Sequence, residues 1–445
     1  MDAKAYKILH ESFMQNNTGT TPWETVLVIL PTAVLTILSN CLNIILINVT
    51  RNSFLIEFFV LVMPLVLNAT VLSESISVSL TVFSLLTSFS VFVLYNYSPK
   101  RKLVTFSYLN KHLDISLVIT NFRGTVNLIT AVCILAVDFR SFPRRFAKTE
   151  TFGWGLMDTG VGLFILANGL VDPVARNEPV ALRKTTKGCF PMLFLGFLRW
   201  FSIWWLQYQQ HVTEYGVHWN FFVTLAFTRL LSTLLLKIYK RPIFWALICV
   251  VGHEVLLQKG LTDFLLSTAP RDNLFLANRE GICSLPGYVA LHQAAVALGQ
   301  WLHTKPAHKS INCLATVSSL SATMWLVALL SAPPSRRIAN LSYIAWMLGF
   351  GGTMLALFVA VHIVSSALGV LCNGHVYMPT ILNSINYNSL AFFLLANLLT
   401  GVINLSVPTL YVAPLGSLFI ISTYMFLTTF TIYKLYLNRC KFKFW

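Results

Sequence analysis

NLITAVCILAVDFRSFPRRFAKTETFGWGLMDTGVGLF, residues 127–164, holds two apolar runs on either side of a short basic loop. The first run ends at Asp138. Pro143, whose ring removes a backbone donor and breaks a helix, stands among Arg140, Arg144, Arg145 and Lys148. The second run starts near Asp158. The same pattern recurs along the chain, with apolar runs of about 20 residues, the length that spans a hydrocarbon core as a helix. Lipid offers no partner to free backbone groups, so such runs must be helical. β-Barrel strands alternate polar and apolar residues, and these runs do not.

Composition agrees. The 445 residues are 56% hydrophobic and only 11% charged, against roughly a quarter charged in a soluble domain. Mean hydropathy is +0.68. The fold expected is therefore all-α, a polytopic transmembrane helical bundle. Thirteen spans are read, at about 24–49, 54–73, 75–96, 117–139, 156–173, 190–207, 217–238, 241–258, 284–302, 311–332, 339–371, 387–407 and 412–437. The eleventh is long and carries GFGG at 349–352, which points to a broken helix or to two segments. Residues 1–23 form an N-terminal tail, 24–437 the multi-span membrane domain and 438–445 a C-terminal tail. The tail at 1–23 lacks the short apolar core and small-residue cleavage site of a signal peptide. The first span, from about Glu24, is expected to act as the insertion signal.

The net charge of +16 would suggest nucleic acid in a soluble protein. Here Lys and Arg sit in short loops between spans, as membrane topology requires, and no nucleic-acid partner is expected. Most of them fall on the cytosolic side if the N-terminus is lumenal and the C-terminus cytosolic. The loop with Arg140, Arg144, Arg145 and Lys148 breaks that rule, and binding an anionic or polar substrate is one reason for its cations. Two weaker signals agree with this orientation: the Asn16-Asn17-Thr18 glycosylation triplet, and Lys441 and Lys443 near the C-terminus, which resemble a dilysine endoplasmic-reticulum retrieval signal.

Three polar segments carry the candidate chemistry. Asp138 lies at the membrane edge of a helix, where an ionisable group is costly and marks a functional candidate. Burial raises a carboxyl pKa and neighbouring cations lower it, which is how a general base near neutral pH is made. Alone, Asp138 could do no more than pair with Arg140 or Arg144 and pin the helix end. The density of polar groups around it argues for function. Asp158 fits a first helical turn, where an acid complements the dipole, as well as a substrate contact.

In HVTEYGVHWNFF (211–222), Glu214, Tyr215, His218, Trp219 and Asn220 gather at the start of a span. If the segment is helical, Glu214 and His218 share a face at i, i+4, a recurrent acid–base arrangement. The alternative is an interfacial belt with Tyr215 and Trp219 at headgroup depth. In ANREGICSLPGY (277–288), Asn278, Arg279 and Glu280 could bond sugar hydroxyls or a phosphate, or cap the following helix. Arg336, Arg337 and Asn340 add a fourth cluster on the same side. The eight cysteines are scattered with no CxxC pair, so neither a disulfide framework nor a metal site is expected. No HExxH, Walker, GxGxxG or GxSxG motif is present.

At these residues the sequence resembles the glucosaminyl-phosphatidylinositol inositol-acyltransferase family of GPI-anchor biosynthesis. The carrying stretches are 129–164, TEYGVHWNFF (213–222), LANREGI (276–282), SRRIANL (335–341) and FFLLANLLTGVINL (392–405). The resemblance covers the whole membrane region and fits the span count and the lumenal N-terminus. It implies transfer of a fatty acyl chain, usually palmitoyl, from acyl-CoA to an inositol hydroxyl of glucosaminyl-phosphatidylinositol in the endoplasmic-reticulum membrane. No tightly bound cofactor is implied; acyl-CoA (palmitoyl-CoA) is a co-substrate, and the partners are the glycolipid and membrane lipids.

By the same resemblance Asp138 and Lys148 are the catalytic candidates. Asp138 would be the base on the inositol hydroxyl, and Lys148 would orient it or stabilise charge on the thioester oxygen. Arg144 and Arg145 would hold phosphate, and His218 is a further acid–base candidate. Acyl-CoA is made in the cytosol, whereas the polar clusters fall on the lumenal side. Either a channel through the bundle admits the thioester, or the sidedness is reversed. A lipid or small-solute transporter is the alternative, and it predicts paired interrupted helices in the two halves of the chain.

Overall fold

The computed structural model describes residues 3–46, 53–97, 113–206, 212–304, 309–371 and 379–442. Arg51, Lys100, Arg101, Lys102, Lys111, Lys305, Lys443 and Cys372 lie outside the described residues. Fifteen helices organise the described residues: α1 Ala3–Phe13, α2 Pro22–Leu46, α3 Ser53–Ala69, α4 Ile76–Tyr97, α5 Ile115–Ala136, α6 Thr159–Leu170, α7 Leu182–Leu206, α8 Phe221–Ile238, α9 Pro242–Leu266, α10 Leu285–Thr304, α11 Ser310–Leu330, α12 Leu341–Leu371, α13 Thr380–Tyr387, α14 Ser389–Ser406 and α15 Pro414–Leu437. Short helical turns lie between some of them. The fold is an all-α polytopic bundle.

Ten helices are long and apolar enough to cross a membrane, against the thirteen spans expected. The other three expected spans, α3, α6 and α7, are helical, and the first two fall short in length. α3 contains a π turn at Phe58–Val62, next to Pro64, whose missing N–H removes a rung from the helical ladder. α6 has 12 residues, about 18 Å of helix against a core of about 30 Å. It is stopped at Leu170 shortly before Pro173. α7 is 25 residues long; Arg183, Lys184 and Lys187 stand in its first turns, ahead of the expected span, which holds Arg199.

GFGG does not break the eleventh expected span: α12 runs unbroken over 31 residues. These glycines serve close approach instead. A Cβ on Gly349 would sit 3.1 Å from Trp325, and one on Gly352 would sit 2.9 Å from Ser321. Removing side chains lets two membrane helices meet backbone to backbone, so Gly349 and Gly352 join α12 to α11, while Gly351 faces Leu166 of α6. The interrupted helix that a transporter reading requires is absent there.

α5 is the most buried of the long helices. It begins with Asp114, whose carboxylate accepts from the Ser116 and Leu117 amides at 3.0 and 3.4 Å, an N-cap that satisfies orphan donors. α3, α6, α12, α13, α14 and α15 surround it. Asp138 therefore stands at the exit of the central helix rather than on the periphery.

The loops at that end interlock. The Thr20 amide donates to the Trp154 carbonyl at 2.9 Å, Gly153 to Pro334 at 2.9 Å, and Val217 to Ala277 at 2.9 Å. Four sequence-distant polar segments thus form one cap on the bundle. Gly287 in α10 lets the 335–340 turn seat there, because a Cβ would lie 2.2 Å from the Ala339 carbonyl oxygen. Gly287→Ala is expected to cost about 1–3 kcal/mol through overpacking, read as a lowered thermal midpoint in detergent. At the other end of the chain, the Phe442 amide donates to Asn388 at 3.1 Å and Lys441 lies 4.5 Å from the Tyr387 ring centroid.

Candidate active site

Asp138 is 6% exposed. Asn404 of α14 donates Nδ2–H to its Oδ2 at 2.7 Å. His10 of α1 places Nε2 3.4 Å from Oδ1. Its ion-pair partner is thus His10, not Arg140 or Arg144. Arg144 folds back on the turn, donating to the Val137 carbonyl at 2.6 Å and stacking 4.1 Å over Phe13. Burial lowers its pKa to about 10, against the opposing pull of Asp138.

Ten residues on, Lys148 leaves the loop after the turn Arg144–Phe146. Its Nζ lies 2.7 Å from Glu214 Oε1. The same oxygen accepts from Arg336 Nη1 at 2.9 Å, and Arg336 Nε donates to Asp158 Oδ1 at 2.9 Å. Asp158 Oδ2 accepts from the Thr149 amide and hydroxyl at 3.0 and 2.9 Å. The result is a chain of alternating charge: Lys148, Glu214, Arg336, Asp158. Burial pushes Glu214 up, but Lys148 and Arg336 outweigh it and bring its pKa to about 2. The two carboxylates hold Arg336 well above its ordinary value although burial acts the other way.

The cap separates Asp138 and Lys148 into two hydrogen-bonded groups, one held by His10 and Asn404 and one by Glu214. Lys148 keeps 44% of its side chain exposed, so it is the open cation of its group. Arg145 is occupied by Glu24 at 2.9 Å and Glu74 at 2.6 Å. Arg144 and Arg145, expected to hold phosphate, are thus both engaged by protein groups.

Glu214 and His218 do not share a helical face. Among the described residues the helix there, Val212–Tyr215, ends before Glu214 can share a turn with His218, and Gly216 at φ +121 turns the chain, a conformation glycine adopts without a Cβ penalty. Glu214 goes to the cations, while His218 faces Asn278, whose Nδ2 is 3.4 Å from its Nδ1. Asn278 Oδ1 also accepts the His218 and Trp219 amides at 2.8 and 3.0 Å. Asn278→Ala would orphan both amides and is expected to cost about 1–3 kcal/mol, measured by thermal unfolding. Trp219 donates to Thr224 at 2.9 Å. Asn220 caps α8, accepting from Phe222 and Val223. Tyr215 lies under Arg336, its ring centroid 5.8 Å from the guanidinium.

Arg279 and Glu280 are each 1% exposed. Arg279 donates to the carbonyls of Ser267 and Ala269, and Glu280 pairs with Arg271. Both point inward and hold the 267–283 segment, so neither offers a face to a sugar. Sequence reading missed His10 and Asn404. Asn404 had a signal, an amide in an apolar span; His10, on a short tail helix, had none.

Beneath the cap, a cavity of about 160 Å³ opens between α5, α6, α7, α8, α10 and α14. Phe164, Phe221, Phe222 and Phe393 line it, with Arg123, Arg229, His292 and Asp172 as its charged or titratable groups. It can take an apolar chain and an anionic group together. Among the described residues no cluster of three or more potential metal ligands occurs.

The chain is 33% identical to the Bos taurus protein named glucosaminyl-phosphatidylinositol-acyltransferase PIGW, over 99% of each chain. It is 33% identical to the Homo sapiens protein of that name, over 89% of this chain and 90% of that one. The Schizosaccharomyces pombe protein named GPI-anchored wall transfer protein 1 is 32% identical, over 99% of this chain and all of its own. The model of the GWT1 family matches residues 6–435, nearly the whole described bundle. With this match and relatives above 30% identity across almost their full length, the chain belongs to the GWT1 family.

Proposed function

We propose that the protein is an acyltransferase of GPI-anchor biosynthesis, moving a fatty acyl chain, palmitoyl, from acyl-CoA to an inositol hydroxyl of glucosaminyl-phosphatidylinositol. The names of its full-length relatives support the acceptor and the reaction class. The observation that carries the reading is the cap itself. A buried carboxylate held at the exit of the central helix stands in one loop with a partly exposed ammonium. A carboxylate there can take the hydroxyl proton, and an ammonium can stabilise the oxyanion.

Asp138 accepts the proton as the inositol oxygen bonds to the thioester carbon. Lys148 stabilises the charge that develops on the thioester oxygen. The C–S bond then breaks, and the departing thiolate takes the proton back from Asp138. Direct attack fits the site, since Cys133 in α5 is buried at 5% exposure and a buried thiol is inert.

The cavity with Arg123 and Arg229 supports acyl-CoA as donor, because guanidinium groups pair with phosphate and the phenylalanines suit an acyl chain. With the N-terminus lumenal and the C-terminus cytosolic in the endoplasmic-reticulum membrane, Arg123 lies toward the cytosolic end of α5. The donor then enters from its own compartment, and its thioester reaches the lumenal cap through the bundle while the acyl chain lies among the phenylalanines. Arg229→Gln is expected to raise the KM for acyl-CoA about tenfold, the loss of roughly 1.4 kcal/mol, with KM for the glycolipid unchanged.

The test is acyl transfer from labelled palmitoyl-CoA to glucosaminyl-phosphatidylinositol by the purified protein in liposomes. Labelled, alkali-releasable acyl ester on the glycolipid is the expected product. A folded protein that transfers no label, with either substrate in excess, would overturn the reading and favour a transporter.

A further inference from the structure

α1 lies outside the membrane bundle, yet it is fastened around Asp138 at several points. Tyr6 Oη is 3.2 Å from the Thr409 hydroxyl and accepts from the Leu410 amide at 3.2 Å. Its ring meets Tyr411 at 5.8 Å. One helical turn on, His10 is 7% exposed and directs Nε2 at Asp138. Phe13 then carries the Arg144 guanidinium on its ring, and Met14 Sδ receives a hydrogen bond from Arg144. A short tail helix with one polar residue aimed at a buried carboxylate needs a reason beyond covering apolar surface. Burying an imidazole costs free energy unless it is partnered, and its partner here is the proposed base.

We infer that His10 is a positioning residue for Asp138, supplied by the N-terminal helix. The inference rests on the reading of Asp138 as the base. Asn404 occupies one lone pair of Oδ2 and His10 faces Oδ1, so the carboxylate is held at both oxygens. Each oxygen still offers a further lone pair to an incoming hydroxyl. A positive charge beside a carboxylate favours the ionised form that can take a proton, and the His10 imidazole stands where it can supply one.

Tyr6 lies on the same helix as His10, with ring centroids 6.1 Å apart, and Asp138 comes from the turn after α5. Arg144 of the same loop acts on Asp138 through space. Asn404, from α14, bonds Asp138 and carries no charge. α1 and its His10 are therefore part of the site, and the active unit extends to residues that precede the first span.

The experiment compares His10→Ala, His10→Gln and His10→Lys with Asp138→Asn, all in the full-length protein in liposomes. Acyl transfer is followed across pH, with thermal unfolding of each variant. His10→Ala is expected to lower kcat about tenfold and move the acid limb of the kcat profile up by about one pH unit, with KM for both substrates unchanged. His10→Lys keeps a cation and is expected to restore the limb. His10→Gln, a neutral donor, is expected to recover part of kcat but leave the limb displaced. In the Asp138→Asn background, His10→Ala should add no further loss. A wild-type kcat and pH profile in His10→Ala would overturn the inference. So would a loss of kcat that tracks thermal destabilisation while the pH limb stays in place. Retained transfer in Asp138→Asn alone would instead remove the base reading, and His10's role with it, and that result is read without any His10 variant.

Discussion

Asp138→Asn is expected to lower kcat for acyl transfer by about 10²–10⁴-fold, the range over which a positioned general base contributes. The substitution keeps the shape of the side chain, and its amide oxygen can still accept from Asn404, which lies 2.7 Å from Asp138 in the wild type. What it removes is the charge and the capacity to take a proton. The His10 contact, 3.4 Å from Oδ1, loses its electrostatic part. Stability should change little, because one hydrogen bond persists and the buried charge that needed desolvation is gone. Protein abundance and thermal midpoint therefore separate the two readings. Inactivity in an equally abundant, equally stable variant supports catalysis. A parallel loss of abundance would make Asp138 a structural residue.

Arg336→Met is expected to have the largest effect on stability. Arg336 is 5% exposed and lies between two carboxylates, Asp158 at 2.9 Å and Glu214 at 2.9 Å. Methionine fills most of the space but leaves Asp158 buried without its counter-charge. Breaking one partner out of a buried pair costs about 3–5 kcal/mol, a large share of an ordinary stability of about 5–15 kcal/mol. Adding Asp158→Asn and Glu214→Gln to Arg336→Met should recover much of the loss, since three neutral groups need no desolvated charge. Thermal unfolding of the single and triple variants decides this. A single variant as stable as wild type would show that the network contributes nothing.

The same network sets an acid limit. Glu214 has a folded pKa of about 2, below its ordinary 4.5. Its contribution to stability is therefore fully present above about 4.5 and is lost as pH falls toward 2. Through the neutral range Lys148 keeps its anionic partner. Its pairing with Glu214 should not change between pH 5 and 8, whereas burial pushes Asp158, in the same network, upward against the pull of Arg336.

The amino-acid sequence by itself determined that the chain is an all-helical membrane bundle, because runs of apolar residues have no other stable solution in lipid. It also singled out the polar segments, since charges are scarce here and each cluster stands out against apolar surroundings. The family was legible from the long stretches around Asp138 and Glu214, and the alignments agree. Periodicity could not tell a Gly-rich break from a Gly-rich contact. Both leave the same residues, and only the packing of α12 on α11 shows that Gly349 and Gly352 make room for Trp325 and Ser321.

The partners within the polar cap were decided by tertiary structure alone. Glu214 and His218 sit four apart, but Gly216 turns the backbone and each finds a partner distant in sequence. Arg279 and Glu280 read like sugar-binding groups and fold inward as a clamp. Asp138 is met by His10, 128 residues earlier, and by Asn404, 266 residues later. Local sequence encodes the direction and depth of each helix through its own hydrogen bonds and hydropathy. Which charge meets which depends on how the loops of separate helices converge, and that is a property of the packed bundle.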